Sequence, residues 1–171
     1  VFKPTESNFR EKYGLVGKKI ILGVASVWSE RKGLNDFIKL ADLIDSDTSI
    51  VLVGVNKKQK KLLPKNIVAI ERTNNAKELA EIYTAADVFF NPTYEDNYPT
   101  VNLEAQACGT TVVTYATGGS PESVPGANVI EVGKIPTSFE NIRFGIKDVA
   151  SNYDATKKYL KFYGNNLFLT R

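Results

Sequence analysis

What most constrains this chain is a series of short apolar runs, each followed by a stretch with helical spacing. The first run is Ile20-Ile21-Leu22-Gly23-Val24-Ala25. It shows no apolar–polar alternation, the pattern of a strand covered on both faces. Ser49–Val55, with Ile50-Val51-Leu52-Val53 inside it, is the second, and Asn66–Ile70 the third. Val88-Phe89-Phe90-Asn91-Pro92, Thr111–Tyr115 and Asn128–Val132 complete the set. Between the runs, Leu34, Phe37, Ile38, Ala41 and Ile44 recur at helical offsets over Asn35–Ile44. Lys57–Leu63 is basic and predicted helical, and Ala76–Ala86 carries Leu79, Ile82 and Tyr83 along one face. Val101–Cys108 reads as a helix with Pro99 near its first turn and Gly109 past its end. Six strands alternating with helices predict an α/β fold: one doubly wound, about six-stranded parallel sheet with helices on both faces. Ligands of such sheets bind beyond the carboxyl ends of the strands. That directs attention to the loops after Ala25, Val55, Ile70, Asn91 and Tyr115.

Composition narrows the chemistry. The 171 residues suit a single domain with its own core, so 1–171 is read as one unit. Within it, 1–15 is read as a linker with a short polar helix over Glu6–Tyr13, and 146–171 as a tail, helical over Ile146–Tyr163. There is no histidine, which excludes a Ser-His-Asp triad, a Cys-His pair and any histidine-ligated metal within this chain. No metal-ligand cluster is expected. The one cysteine, Cys108, can form no intrachain disulfide. It follows Ala105 and Ala107 in an apolar helical stretch, so a buried structural thiol is expected. The formal charge of +3 suits an anionic ligand without requiring nucleic acid. Lys57, Lys58, Lys60 and Lys61 lack the aromatic interleaving of a nucleic-acid surface. No apolar run approaches the ~20 residues of a membrane helix. A cytoplasmic setting is expected. Val1 is no initiator methionine, and the first residues carry no signal-peptide pattern, so the chain is read as beginning mid-sequence or as having been processed.

Three loops carry residues suited to one chemistry, although taken singly Asp96 also reads as a loop or capping residue, Glu104 as a surface helix residue, and Arg31 and Lys32 as solvated surface. In Asp96-Asn97-Tyr98-Pro99-Thr100-Val101-Asn102-Leu103-Glu104, a carboxylate follows a strand and a second lies within the next helix. Between them is a helix N-terminus, whose N–H groups and positive dipole end seat anions. Two carboxylates there would repel a bare phosphate, but they accept hydrogen bonds from hydroxyls. A sugar nucleotide presents both features, a diphosphate flanked by two polyols. Ser29-Glu30-Arg31-Lys32-Gly33, after the first strand, places two cations before a helix; lysine meets phosphate as a point charge and arginine grips two oxygens. Thr117-Gly118-Gly119-Ser120-Pro121-Glu122 pairs two glycines, which let backbone approach a ligand, or simply make a tight turn. Pro121 suits a helix start.

In this order, these residues resemble the C-terminal domain of glycosyltransferase family 4. That resemblance covers Val1 to about Val132. It implies a Rossmann-like domain forming one half of a GT-B fold. Val1-Phe2-Lys3-Pro4 resembles the segment that enters the domain, and Asp96 to Glu104 the family's paired glutamates with seven residues between them. Gly118-Gly119-Ser120-Pro121-Glu122 is similar to the family's glycine pair and following glutamate. The resemblance implies that Glu104 holds the donor ribose, and that Asp96 lies beside the transferred sugar with Glu95, Asn97 and Tyr98 around it. Lys32 matches the phosphate-binding lysine, Thr100 and Val101 would cap the diphosphate through backbone N–H, and Thr73-Asn74 would lie near the base. The sequence departs from the family in having aspartate at 96, and Val27 where an arginine is usual, with Arg31 as the nearest substitute.

The implied activity is retaining transfer of a hexosyl-type sugar from a UDP-sugar or GDP-sugar, with no cofactor, in polysaccharide or glycolipid synthesis. Lys32 and the helix dipole would stabilise the leaving diphosphate. The acceptor, a saccharide or lipid-linked saccharide, would be held by an N-terminal domain absent from this chain, through which the whole protein would meet any membrane. The fragment is expected to be inactive alone. Half of a nucleotide-sugar epimerase and a non-catalytic nucleotide-binding module are the alternative readings.

Overall fold

The computed structural model describes residues 1–124 and 128–135. The expected helical tail over 146–171 lies outside them. After a short helix α1 (Phe9–Lys12) the chain runs β1 (Lys19–Val24), a 3₁₀ turn (Glu30–Lys32) and α2 (Leu34–Ala41). There follow β2 (Thr48–Val53), α3 (Lys57–Leu62), β3 (Ile67–Ile70), α4 (Ala76–Ala85) and β4 (Val88–Asn91). Then come α5 (Thr100–Ala107), β5 (Thr111–Tyr115), α6 (Ser120–Ser123) and β6 (Val129–Ile130). All six strands pair in parallel, in the order β3-β2-β1-β4-β5-β6. The sheet therefore grows outward from β1, returns, and grows the other way from β4. The crevice between β1 and β4 is the switch point at which doubly wound sheets bind ligands.

Strand periodicity sorts the apolar runs into two cores. Ile20, Leu22, Val51, Val53, Phe89 and Val112 face α1, α4 and α5, meeting Ala80, Ile82, Tyr83, Ala105 and Cys108. Ile21, Ile50, Leu52, Val88, Phe90, Val113 and Tyr115 face α2, meeting Phe37, Leu40 and Ala41. Both faces are thus covered, as the missing alternation in the sequence requires.

The first fifteen residues do more than link. Phe9 and Leu15 are buried in the core, and Phe2 and Tyr13 pack against it. Arg10 ties the segment down by donating to the carbonyls of Ala85 and Lys18 and to the Asp87 carboxylate. The helix here spans Phe9–Lys12, shorter than Glu6–Tyr13, and the last strand is Val129–Ile130, shorter than Asn128–Val132. Cys108 is buried as expected, at 2% exposure.

Candidate functional site

The loops after β1 and β4 meet across the switch point. The 3₁₀ turn places Lys32 so that its Nζ donates to Asp96 Oδ2 at 2.5 Å. These two side chains are 28% and 17% exposed. Arg31 lies 3.8 Å from Glu95, both well exposed, so that pair contributes little by itself. Backbone joins the same loops: Tyr94 N–H donates to the Arg31 carbonyl at 2.8 Å. Gly33 ends the turn at φ 77°, and a Cβ there would lie 2.3 Å from the Pro92 carbonyl oxygen. Only glycine lets the two loops approach so closely.

The loop after β5 closes the third side. A Cβ on Gly118 would lie 1.9 Å from the Asp96 carbonyl oxygen, and one on Gly119 would lie 1.9 Å from that of Asn97. Gly119 N–H donates to the Asp96 carbonyl at 3.1 Å. The glycine pair thus makes room for the 96–97 backbone. This is a structural requirement that the sequence, read for approach to a ligand or a turn, did not specify. Asp96 Oδ1 also accepts from the Tyr98 N–H, which bends the chain toward α5.

That bend delivers the N-terminus of α5. Its N-cap is Pro99, which gives no side-chain cap, whereas Asn56 and Asn75 cap α3 and α4. The first-turn N–H groups at Thr100 and Val101 therefore lack a side-chain acceptor from the cap, next to the Lys32–Asp96 pair. Unfilled donors and the helix dipole make this end attractive to an anion. Glu104 lies further into α5 and is half-buried; its Oε2 accepts from the Tyr83 hydroxyl on α4 at 3.2 Å. Thr73 and Asn74 follow β3, the opposite edge strand. There Asn74 donates twice to Glu78 Oε2, at 2.7 and 2.9 Å, so its amide is committed to the start of α4. The structure thus gathers Arg31, Lys32, Glu95, Asp96, Asn97, Tyr98, Gly118 and Gly119 around the α5 N-terminus. Glu104 lies on the α4 side, and Thr73 and Asn74 lie across the sheet.

Two groups that the sequence did not single out hold this arrangement. Asp36, on the first turn of α2, is 2% exposed, and its Oδ2 accepts from Tyr94 Oη at 2.8 Å and Tyr115 Oη at 2.7 Å. One carboxylate oxygen thereby links α2, the loop after β4 and the end of β5. Burial, and then the bond to Asp36, raise the pKa of both tyrosines above the usual value, so both stay protonated donors. Behind α5, Asn91 Nδ2 donates to Asn102 Oδ1, and Asn102 Nδ2 donates to Ser123 Oγ. Gln106 Nε2 donates to the carbonyls of Asn102 and Ser123. This buried network locks α5 to β4 and α6. The Ser120 hydroxyl beside it is buried with no hydrogen-bond partner. Among the described residues no group of three or more Cys, Asp or Glu converges on a metal position.

A doubly wound parallel sheet with its charged and glycine-rich loops at the switch point defines a Rossmann-like domain of the GT-B kind. Residues 5–162 match the family model described as glycosyl transferases group 1, and the chain belongs to that family. It is 30% identical over 139 residues to a D-inositol 3-phosphate glycosyltransferase of Arthrobacter sp. (strain FB24), covering 72% of this chain and 33% of that one. A shorter stretch of 49 residues is 51% identical to the enzyme of the same name from Corynebacterium jeikeium (strain K411), covering 29% of this chain and 12% of that one. The chain thus spans a third or less of these relatives. Among solved structures it resembles Anabaena Alr3699/HepE in complex with UDP-glucose, at a TM-score of 0.72 and 17% identity, over 97% of this chain and 54% of that one. It also resembles the C-terminal domain of the group 1 glycosyl transferase LpcC from Francisella tularensis, at a TM-score of 0.67 and 18% identity, over 97% and 95% of the two chains. No helix among the described residues is long and apolar enough to cross a membrane.

Proposed function

We propose that this chain is the donor-binding half of a retaining glycosyltransferase of family 4, taking a UDP-sugar or GDP-sugar. The observation that carries the reading is Lys32 reaching across the switch point to Asp96 beside the uncapped N-terminus of α5. A diphosphate there exchanges partners with that ion pair. Lys32 turns from the Asp96 carboxylate to phosphate oxygens, and Asp96 accepts from hydroxyls of the sugar. Thr100 and Val101 donate their N–H groups to the diphosphate, Glu104 accepts from the ribose, and the base lies toward Thr73 and Asn74. As the sugar–phosphate bond breaks, negative charge collects on the leaving diphosphate, where Lys32 and the α5 dipole stabilise it. Arg31, at the rim with Glu95, adds charge where the family usually has an arginine and this chain has Val27. The acceptor, a saccharide or lipid-linked saccharide, is held by an N-terminal domain of the whole protein, so the chain alone binds donor without turnover. Family membership and the UDP-glucose bound by HepE support the reading.

Calorimetric titration with UDP, GDP, uridine and UDP-glucose tests it. Lys32→Ala should weaken the diphosphate far more than the nucleoside, whereas Glu104→Ala should weaken both by about 1.5–3 kcal/mol for a lost bond to a charged acceptor. Asp96→Ala removes a carboxylate competing for Lys32. It should therefore leave UDP binding unchanged or tighter and weaken only UDP-sugar. Equal losses for UDP and UDP-sugar in Asp96→Ala would overturn the assigned roles, and turnover by the isolated chain would overturn the division of labour.

A further inference from the structure

Helix α3 is an ordered element with none of its residues buried. Each of the other α-helices buries at least one residue; α3 buries none and is held by polar bonds and, at its end, by Leu63 packed against the core. Asn56 accepts from the N–H groups of Lys58 and Gln59, while Gln59 returns a bond to the Asn56 N–H, forming a capping box. Gln59 Nε2 also donates to the Trp28 carbonyl at 2.9 Å, fixing α3 beside the loop after β1. What this scaffold presents outward is Lys57, Lys58, Lys60, Lys61 and, just beyond, Lys65, all exposed. The only acid paired with them among the described residues is Glu71, 3.8 Å from Lys60. Lys57–Lys60, Lys57–Lys61 and Lys58–Lys61 are neighbours along the helix, and like charges at that spacing destabilise it. Amid them Leu62 is 81% exposed, the most exposed large hydrophobic residue among those described.

We propose that α3 is a docking surface for an anionic membrane. Lysines clustered on one exposed helix are drawn to acidic headgroups, which relieve their mutual repulsion. Leu62 supplies the apolar side chain that sinks below the headgroups. That exposed leucine, and the lack of exposed aromatic rings on α3 for bases to stack on, favour lipid over nucleic acid. The surface shares no residue with the Lys32–Asp96 pair: it lies on α3, whereas Lys32 is in the 3₁₀ turn after β1 and Asp96 in the loop after β4.

Co-sedimentation of the 171-residue chain with vesicles tests the proposal. The vesicles are phosphatidylcholine alone, or phosphatidylcholine with about a quarter phosphatidylserine. The chain should partition onto the acidic vesicles, not onto the neutral ones, and should leave them as salt rises from ~0.1 to ~1 M. Replacing Lys57→Gln and Lys61→Gln together should lower the partition coefficient ~25-fold, at about fivefold per lysine. Its unfolding midpoint should not fall, because an i,i+4 repulsion is removed. Leu62→Gln should weaken binding at every salt concentration, and Lys18→Gln, at the opposite end of the sheet, should leave it unchanged. The proposal is overturned by equal binding to neutral vesicles or by none to acidic ones. It is overturned equally by a double variant that binds like its parent, or by a Lys18→Gln loss as large as the double variant's. Tighter binding to single-stranded RNA than to acidic vesicles at the same salt would replace it with a nucleic-acid surface.

Discussion

Asp36 should be the most consequential buried charge at the switch point, and its two tyrosines give a way to measure it. Both phenols donate to the same oxygen, Oδ2, while the nearest cation, Lys39, stands 3.9 Å from Oδ1. Tyr115 is fully buried, so Tyr115→Phe removes a bond to a charged acceptor that no solvent replaces, at about 1.5–3 kcal/mol. Tyr94 is 42% exposed, and water can take over its side of the carboxylate, so Tyr94→Phe should cost only about 1 kcal/mol. Either phenol can still satisfy Oδ2 alone. The double variant leaves a buried carboxylate with neither donor, and should cost at least ~1 kcal/mol more than the two single losses combined. Urea unfolding of the four proteins, with the slope checked for constancy, gives the cycle. The rings keep their edge-to-face contact in every variant, so packing is conserved. Strict additivity, or a Tyr115→Phe loss below ~0.5 kcal/mol, would refute the idea that one carboxylate oxygen ties α2, the loop after β4 and the end of β5 together.

Other outcomes follow from particular contacts. Gly119→Ala should both destabilise the fold, by about 1–3 kcal/mol, and weaken UDP binding, because its Cβ would meet the Asn97 carbonyl at 1.9 Å; an unchanged midpoint and affinity would contradict that. Asn56→Ala should cost about 1 kcal/mol through the lost cap and leave UDP affinity alone, as read by urea unfolding and calorimetry. Burial raises the Cys108 thiol from 9.0 to about 11, so in the folded chain it should resist a thiol reagent at pH 8 and react once urea is added. A folded pKa above the unfolded one confers stability below pH 9 that is lost as pH rises through 11. Tyr94 and Tyr115 shift the same way, so urea midpoints should fall across that range, and a flat profile would contradict the burial of these groups.

The sheet was legible because strands covered on both faces leave uninterrupted apolar runs. β1, β2, β4 and β5 lie within a residue or two of the runs that marked them. The α5 boundary was legible from Pro99 and Gly109, which mark the two ends of a helix. What the sequence hid are partnerships across distance. Asp36 looks like an ordinary acid in a first helical turn, and its partners lie 58 and 79 positions away. Asn91, Asn102 and Ser123 look like unrelated polar residues until the fold stacks them behind α5. The glycine pair was visible, but the neighbour that demands it is the 96–97 backbone, 22 positions away in each case. The short α1 and β6 carry too few residues for periodicity to fix their ends.

The most direct test of the donor site is a crystal structure of this chain soaked with UDP. The proposed site puts the diphosphate at the amino end of α5, its oxygens about 3 Å from the Thr100 and Val101 nitrogens. Lys32 should have turned from Asp96 to phosphate. Nucleotide bound elsewhere on the chain, with the Lys32–Asp96 pair intact, would contradict it.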